Sequence, residues 1–274
     1  MLWIPMVISA AVLNALWTAL SQKHLTDMSS FNFTLLLRGL TTIFFFPFFL
    51  LDLKWPLSLT FWLAAGGAGL LEVVRIGYLA YGIRSDYYST YAIYNTAPLF
   101  TLMMVPFILP EKISLLLWLG VSCIVIGAFI FYGMGKLSIP GLICAITSSL
   151  SAVLSKIALN ESPAIFFIFV SFAIGVFSML FFARTIQKRD LHFLWHWPIV
   201  NKLLPLAFFS ALATALYYMA LDLAPVSKVQ PLVRANLLFG FIFSYFLLKE
   251  KDNWQKKLFA GGVIFIGCIL IGLA

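Results

Sequence analysis

Charge is what this chain has least of: 18 lysines and arginines and 10 aspartates and glutamates are spread over 274 residues, 10% of the total. A soluble domain carries about 25%. Cysteine is scarce as well. Cys123, Cys144 and Cys268 all lie inside apolar runs, which excludes a disulfide framework and leaves them as packing residues. No HExxH, CxxC, phosphate loop or Gly-x-Ser-x-Gly elbow occurs, so neither ATP-driven pumping nor hydrolysis has residues to carry it, and no enzyme activity is expected. The three histidines, His24, His192 and His196, fall in loops; two ligands four residues apart in a basic loop make a poor metal site, and no metal or cofactor is expected.

What is present is apolar. Hydrophobic residues make up 62% of the chain and the mean hydropathy is +1.02, more apolar surface than a soluble core can hide. An integral protein of the cell membrane is expected, with the lipid bilayer as its first partner. The first twenty residues lack a basic leader and a small-residue cleavage site, so they read as a retained first helix. The net charge of +8 does not mark a nucleic-acid binder, because the basic residues are scattered through short loops.

A bilayer-spanning helix needs about twenty apolar residues. Charged and Pro- or Gly-bearing turns divide the chain into ten such segments: 2–22, 31–51, 58–83, 87–109, 113–134, 138–158, 163–183, 200–221, 226–248 and 254–273. The chain also repeats itself. At an offset of 139 residues, Leu99, Phe100, Phe107, Leu109, Glu111 and Lys112 fall on Leu238, Phe239, Phe246, Leu248, Glu250 and Lys251. At an offset of 135, Ile4, Pro5, Ile8 and Ala10 meet Ile139, Pro140, Ile143 and Ala145; at 140, Gly120 and Gly127 meet Ala260 and Gly267. The expected architecture is an all-α integral membrane protein of ten transmembrane helices in two five-helix repeats, 1–135 and 136–274. Five is odd, so the second repeat enters the membrane from the opposite side and the repeats are inverted. Inverted repeats are the architecture of many secondary transporters, with the substrate site near the midplane where the halves meet.

Of fifteen lysines and arginines outside helix interiors, eleven lie in loops after odd-numbered segments. By the positive-inside rule that places both termini outside.

The text of each half carries a family likeness. The second half reads Tyr217-Tyr218-Met219-Ala220-Leu221, Ala224-Pro225-Val226, Pro231-Leu232 and Leu248-Lys249-Glu250; the first reads Tyr78-Leu79-Ala80-Tyr81, Ala97-Pro98-Leu99-Phe100, Glu111, Gly120 and Gly127. Over its whole length the chain resembles the EamA-type transporters of the drug/metabolite transporter superfamily. The resemblance implies a transporter with ten helices in inverted halves and both termini in the cytoplasm. It leaves the substrate open, since the family moves amino acids, sugars, nucleotide derivatives, quaternary amines and drugs on one scaffold.

Charged groups at bilayer depth are costly and face a cavity or a partner. Inside the helices only Arg38, Glu72, Arg75 and Arg234 are ionised. Glu72 and Arg75, three apart, can pair; alternatively Glu72 carries a proton or a cation. Tyr87, Tyr91, Tyr94 with Asn95, and Pro98 form one stripe, and tyrosine hydroxyls need partners that lipid tails do not offer. The repeat offset maps Tyr91 and Asn95 onto Gln230 and Arg234. Tyr78 corresponds to Tyr217 or Tyr218, Asn14 and Trp17 come from the first helix, and Ser148, Ser149 and Ser151 of the sixth read as packing and backbone-bonding hydroxyls. The candidate substrate-binding set is therefore Asn14, Trp17, Arg38, Glu72, Arg75, Tyr78, Tyr91, Tyr94, Asn95, Tyr217, Gln230 and Arg234. Glu111 and Glu250 read as loop-closing or gate groups at opposite faces. Pro98, Pro106 and Pro231 are positioned to kink their helices.

Three interior arginines against one glutamate favour a substrate bearing a carboxylate or phosphate. The expected function is secondary transport of a small polar metabolite, an amino acid or related carboxylate, by alternating access, with a proton or an exchanged solute as coupling partner. A nucleotide-like or adenosyl metabolite is the alternative substrate; a lipid-handling membrane protein or a channel is the alternative class.

Overall fold

The structure, a computed structural model, describes residues 2–25, 29–51, 55–56, 58–133, 137–185, 197–247 and 253–274. Every regular element among them is helical: α1 (Trp3–Leu25), α2 (Ser30–Leu51), α3 (Leu59–Ser85), α4 (Tyr87–Tyr94), α5 (Ala97–Ile108), α6 (Leu115–Tyr132), α7 (Ile139–Leu159), α8 (Ala164–Thr185), α9 (Trp197–Leu223), α10 (Val226–Leu232), α11 (Asn236–Leu247) and α12 (Trp254–Leu273). Among the described residues nine stretches are long and apolar enough to cross a bilayer. The tenth crossing, 226–247, is split between α10 and α11 by a 3-10 turn at Val233–Ala235. The protein is an all-α membrane protein of ten crossings in two inverted five-helix repeats. Its crossings run from one face, at which Trp3 and Leu273 lie, to a second face.

Local chemistry sets the ends. The hydroxyls of Ser58, Ser114 and Ser138 accept from the backbone N–H of Thr60, Leu117 and Gly141, and the Asp86 carboxylate accepts from Ser89, each satisfying a donor the first helical turn leaves free. α6 stops at Gly133, whose φ of 90° is open to glycine. α1 runs three residues past the expected end, so His24 is helical rather than in a loop, because nothing between Ser21 and Leu25 breaks a helix. His192, His196 and Glu250 lie outside the described residues.

The inverted repeat is visible in which helices touch. α3 packs on α7 as its counterpart α9 packs on α1, and α6 packs on its own counterpart α12. In that last pair the repeated small residues interlock reciprocally. A Cβ on Gly120 would lie 3.0 Å from the Gly267 carbonyl, and one on Gly127 3.0 Å from the Ala260 carbonyl. The close approach comes from small residues, as between helices in lipid, where apolar burial gives no preference for another helix over acyl chains. Elsewhere Phe45, Phe61, Phe166 and Phe167 are at most 5% exposed and pack α2, α3 and α8 together near the first face.

The fourth and ninth crossings are each broken at the same place in the repeat. α4 ends at Tyr94, with Asn95 and Thr96 between it and α5, which begins at Ala97; the 3-10 turn holds Arg234 and Ala235, which are Asn95 and Thr96 shifted by 139. The devices differ. Pro98 has no N–H to offer Tyr94 and its ring crowds that carbonyl, so Thr96 and Leu99 make tighter i to i−3 bonds to Ile93 and Thr96, both 2.9 Å. In the ninth crossing Pro231, two residues before the 3-10 turn, has no N–H to offer the Ser227 carbonyl. Pro106, by contrast, is inside a continuous α5.

Candidate functional site

The four ionised residues of the interior gather with Tyr94 into one chain of contacts that reaches both breaks. Glu72 on α3 is bracketed by two guanidinium groups: Arg38 Nη2 of α2 donates to Oε1, while Arg75 Nε donates to Oε2 at 2.7 Å and its Nη2 to Oε1. Arg75 Nη1 then donates to the Tyr94 hydroxyl of α4 at 3.0 Å. The Tyr94 ring lies against Arg234, whose Cζ is 4.5 Å from its centroid, and Arg38 lies over Phe172 of α8 at 4.6 Å. The row Arg38, Glu72, Arg75, Tyr94, Arg234 thus runs from the second crossing to the ninth with a formal charge of +2. Arg234 is 7% exposed and Gln230, one turn earlier on the same face, is 2% exposed. Arg234 Nε and Gln230 Oε1 have no hydrogen-bond partner among the described residues, nor does Asn236 Oδ1 at the start of α11. An unmet buried donor and acceptors cost free energy that a bound polar molecule can recover.

Beside this row, Arg38, Glu72, Ser151, Phe172 and Tyr218 line a cavity of about 20 Å³, room for one water. Towards the second face the way is filled by aromatic rings. Tyr91 stacks on Tyr132 at 5.6 Å and packs on Tyr87 at 4.7 Å, and the Thr90 and Ser138 hydroxyls are 2.9 Å apart.

Other expected site residues have partners or exposures of their own. Tyr78 is 43% exposed on α3; each step of three residues turns about 60° short of a full circle, so it lies about 120° round the helix from Glu72. Trp17 Nε1 donates to Asn14 Oδ1 at 2.9 Å, and Trp17 packs on the apolar cluster of α2 and α9 around Leu37 and Leu206. Asn95 is spent on the break itself: its Nδ2 donates to the Tyr91 carbonyl at 2.8 Å. Tyr217 packs on Tyr218 with centroids 5.0 Å apart and stays within electrostatic reach of Arg234, Tyr94 and Glu72. The serines bond to backbone: Ser149 Oγ donates to Ala97 O at 2.6 Å, at the break in the fourth crossing, and Ser151 Oγ to Ala68 O at 3.3 Å.

Tyr132, Phe172 and Asn236 were not legible as site residues. Tyr132 and Phe172 have no repeat partner that marked them, and Asn236 falls opposite Ala97. Only the three-dimensional approach of α6, α8 and the second break brings them in.

Comparison with known proteins gives one family and one fold. The family model described as the EamA-like transporter family matches residues 1–133 and again 136–273. A crystal structure of a protein 15% identical in sequence superposes with a TM-score of 0.74, covering 99% of this chain and 96% of that one, which speaks for the fold alone. No curated protein matches the chain.

Proposed function

This chain belongs to the EamA-like transporter family, and from that premise we propose that it moves an amino acid or related carboxylate across the cell membrane by alternating access at the row Arg75, Tyr94, Arg234. That it is a multi-pass membrane transporter of the drug/metabolite type follows from the family; the substrate class and the site are this reading's own. The carrying observation is Arg234: it is 7% exposed, sits in a break at mid-crossing, and has an Nε without a partner among the described residues. A broken transmembrane helix exposes backbone groups at bilayer depth, where transporters use them with nearby charge to hold ionic substrates. Glu72 already accepts from two arginines, so Arg234 is the cation with least internal neutralisation. The coupling partner in this reading is a proton or an exchanged solute.

The test is binding and uptake in purified, reconstituted protein. A carboxylate that binds the folded state raises its thermal midpoint, and Arg234→Ala should abolish that rise with uptake at least tenfold lower. Arg234→Lys keeps the charge but loses the planar fork, and should weaken affinity more than maximal rate. Uptake at the unsubstituted rate in Arg234→Ala would remove this residue from the site.

A further inference from the structure

Glu111 makes a contact between the repeats that the proposed substrate site does not use. It sits in the loop after α5, and its carboxylate accepts from the backbone N–H of Val226 at 2.9 Å and of Ser227 at 3.1 Å. These are the first two residues of α10, whose N-cap Pro225 offers no side-chain acceptor. An acid of the first repeat therefore satisfies the free donors at a helix end in the second, where negative charge is also favoured by the helix dipole. The preceding helix end is held too. Lys156 Nζ of α7 donates to the carbonyls of Leu221 at 2.8 Å and Asp222 at 3.0 Å, in the last turn of α9. Both ends of the link between α9 and α10 are thus tied at the first face, one to α7 and one to the loop after α5.

We propose that Glu111 is the latch of this face: it holds the outer end of α10 shut over the central row, and the face opens only when its two hydrogen bonds break. α10 is the element able to move. It is seven residues long, carries Gln230 and leads to Arg234, and is jointed to α11 by the 3-10 turn, a short and weaker form of helix. Freeing its first turn swings it about that joint and uncovers the two buried polar groups together. Ser155, fully buried on α7 one residue before Lys156, lies near the end of α7 at the first face. Cys144, equally buried, lies near the opposite end of α7, towards the second face.

The proposal rests on the alternating-access reading, but its readout needs no substrate. Ser155→Cys protein in lipid nanodiscs is alkylated with a maleimide, and the rate at each cysteine is read by peptide mass, alone and with Glu111→Ala or Glu111→Gln. The latch requires Cys alkylation at position 155 to rise at least tenfold in Glu111→Ala and about threefold in Glu111→Gln, which keeps one acceptor, while Cys144 reacts no faster. A proportional rise at both cysteines means general loosening and overturns the proposal; so does an unchanged rate at position 155. If Glu111→Ala does not fold, Glu111→Gln decides by the same criteria. Opening without uptake of any carboxylate would count against the substrate reading and leave the latch standing.

Discussion

Glu72→Gln is expected to lower the stability of the folded protein by about 3 kcal/mol, the low end of what removing one partner of a buried ion group costs. Two guanidinium groups converge on this carboxylate, and the side chains of Arg38, Glu72 and Arg75 are 22%, 23% and 14% exposed. That is too little solvent to screen the two cations from each other once the anion is gone. Glutamine keeps the shape and one acceptor, so the loss isolates charge from packing. The measurement is denaturant unfolding in detergent micelles. Adding Arg38→Met to Glu72→Gln should recover part of the loss, since it removes one of the two uncompensated cations, whereas two independent sites would give additive losses. A change under about 0.5 kcal/mol, the usual range for a surface substitution, would mean water reaches the triad freely.

Gly267→Val should cost about 2–3 kcal/mol, the upper range for forcing extra methyl groups into a packed contact. A Cβ at Gly267 would meet the Gly120 carbonyl at 2.7 Å, Ile124 Cγ1 at 2.8 Å and Cys123 Cβ at 3.1 Å, so α6 and α12 must separate. Gly262, on the same helix, has nothing within 4 Å of its Cβ position, and Gly262→Ala should be neutral or slightly stabilising because alanine loses less backbone entropy in a helix. Thermal unfolding of the two variants side by side checks the pair. Equal midpoints would place the contact between α6 and α12 outside what holds the halves together.

The helical crossings were readable because bilayer thickness imposes a length and lipid an apolar composition, both local properties. The expected 58–83 and 163–183 became Leu59–Ser85 and Ala164–Thr185. The breaks were only half readable. Pro98, Pro106 and Pro231 were all positioned to kink their helices, but proline alone does not distinguish a helix that runs on, as α5 does through Pro106, from a full stop. The site was partly readable. Arg38, Glu72, Arg75 and Arg234 announced themselves as ions in apolar text, and the stripe from Tyr87 placed Tyr94 on the same side as Tyr91. The stripe did not tell which of its members would reach an arginine, and Asn14 with Trp17 shows the limit: the indole N–H of Trp17 is spent on Asn14 Oδ1, a pairing that their three-residue spacing allows but does not announce.

Composition, segment length and internal repetition by themselves determined that this chain is a ten-crossing membrane protein of two inverted halves, because each is set by the solvent around the chain or by the parity of the count. What only the tertiary structure decided is pairing across long separations. Arg38 meets Glu72, Arg234 meets the ring of Tyr94, and Glu111 caps a helix beginning 115 residues later. Such contacts depend on the angle and depth at which helices from opposite halves cross. Many one-dimensional patterns are compatible with each crossing, and packing selects among them by leaving as few buried charges and backbone donors unmet as the fold allows.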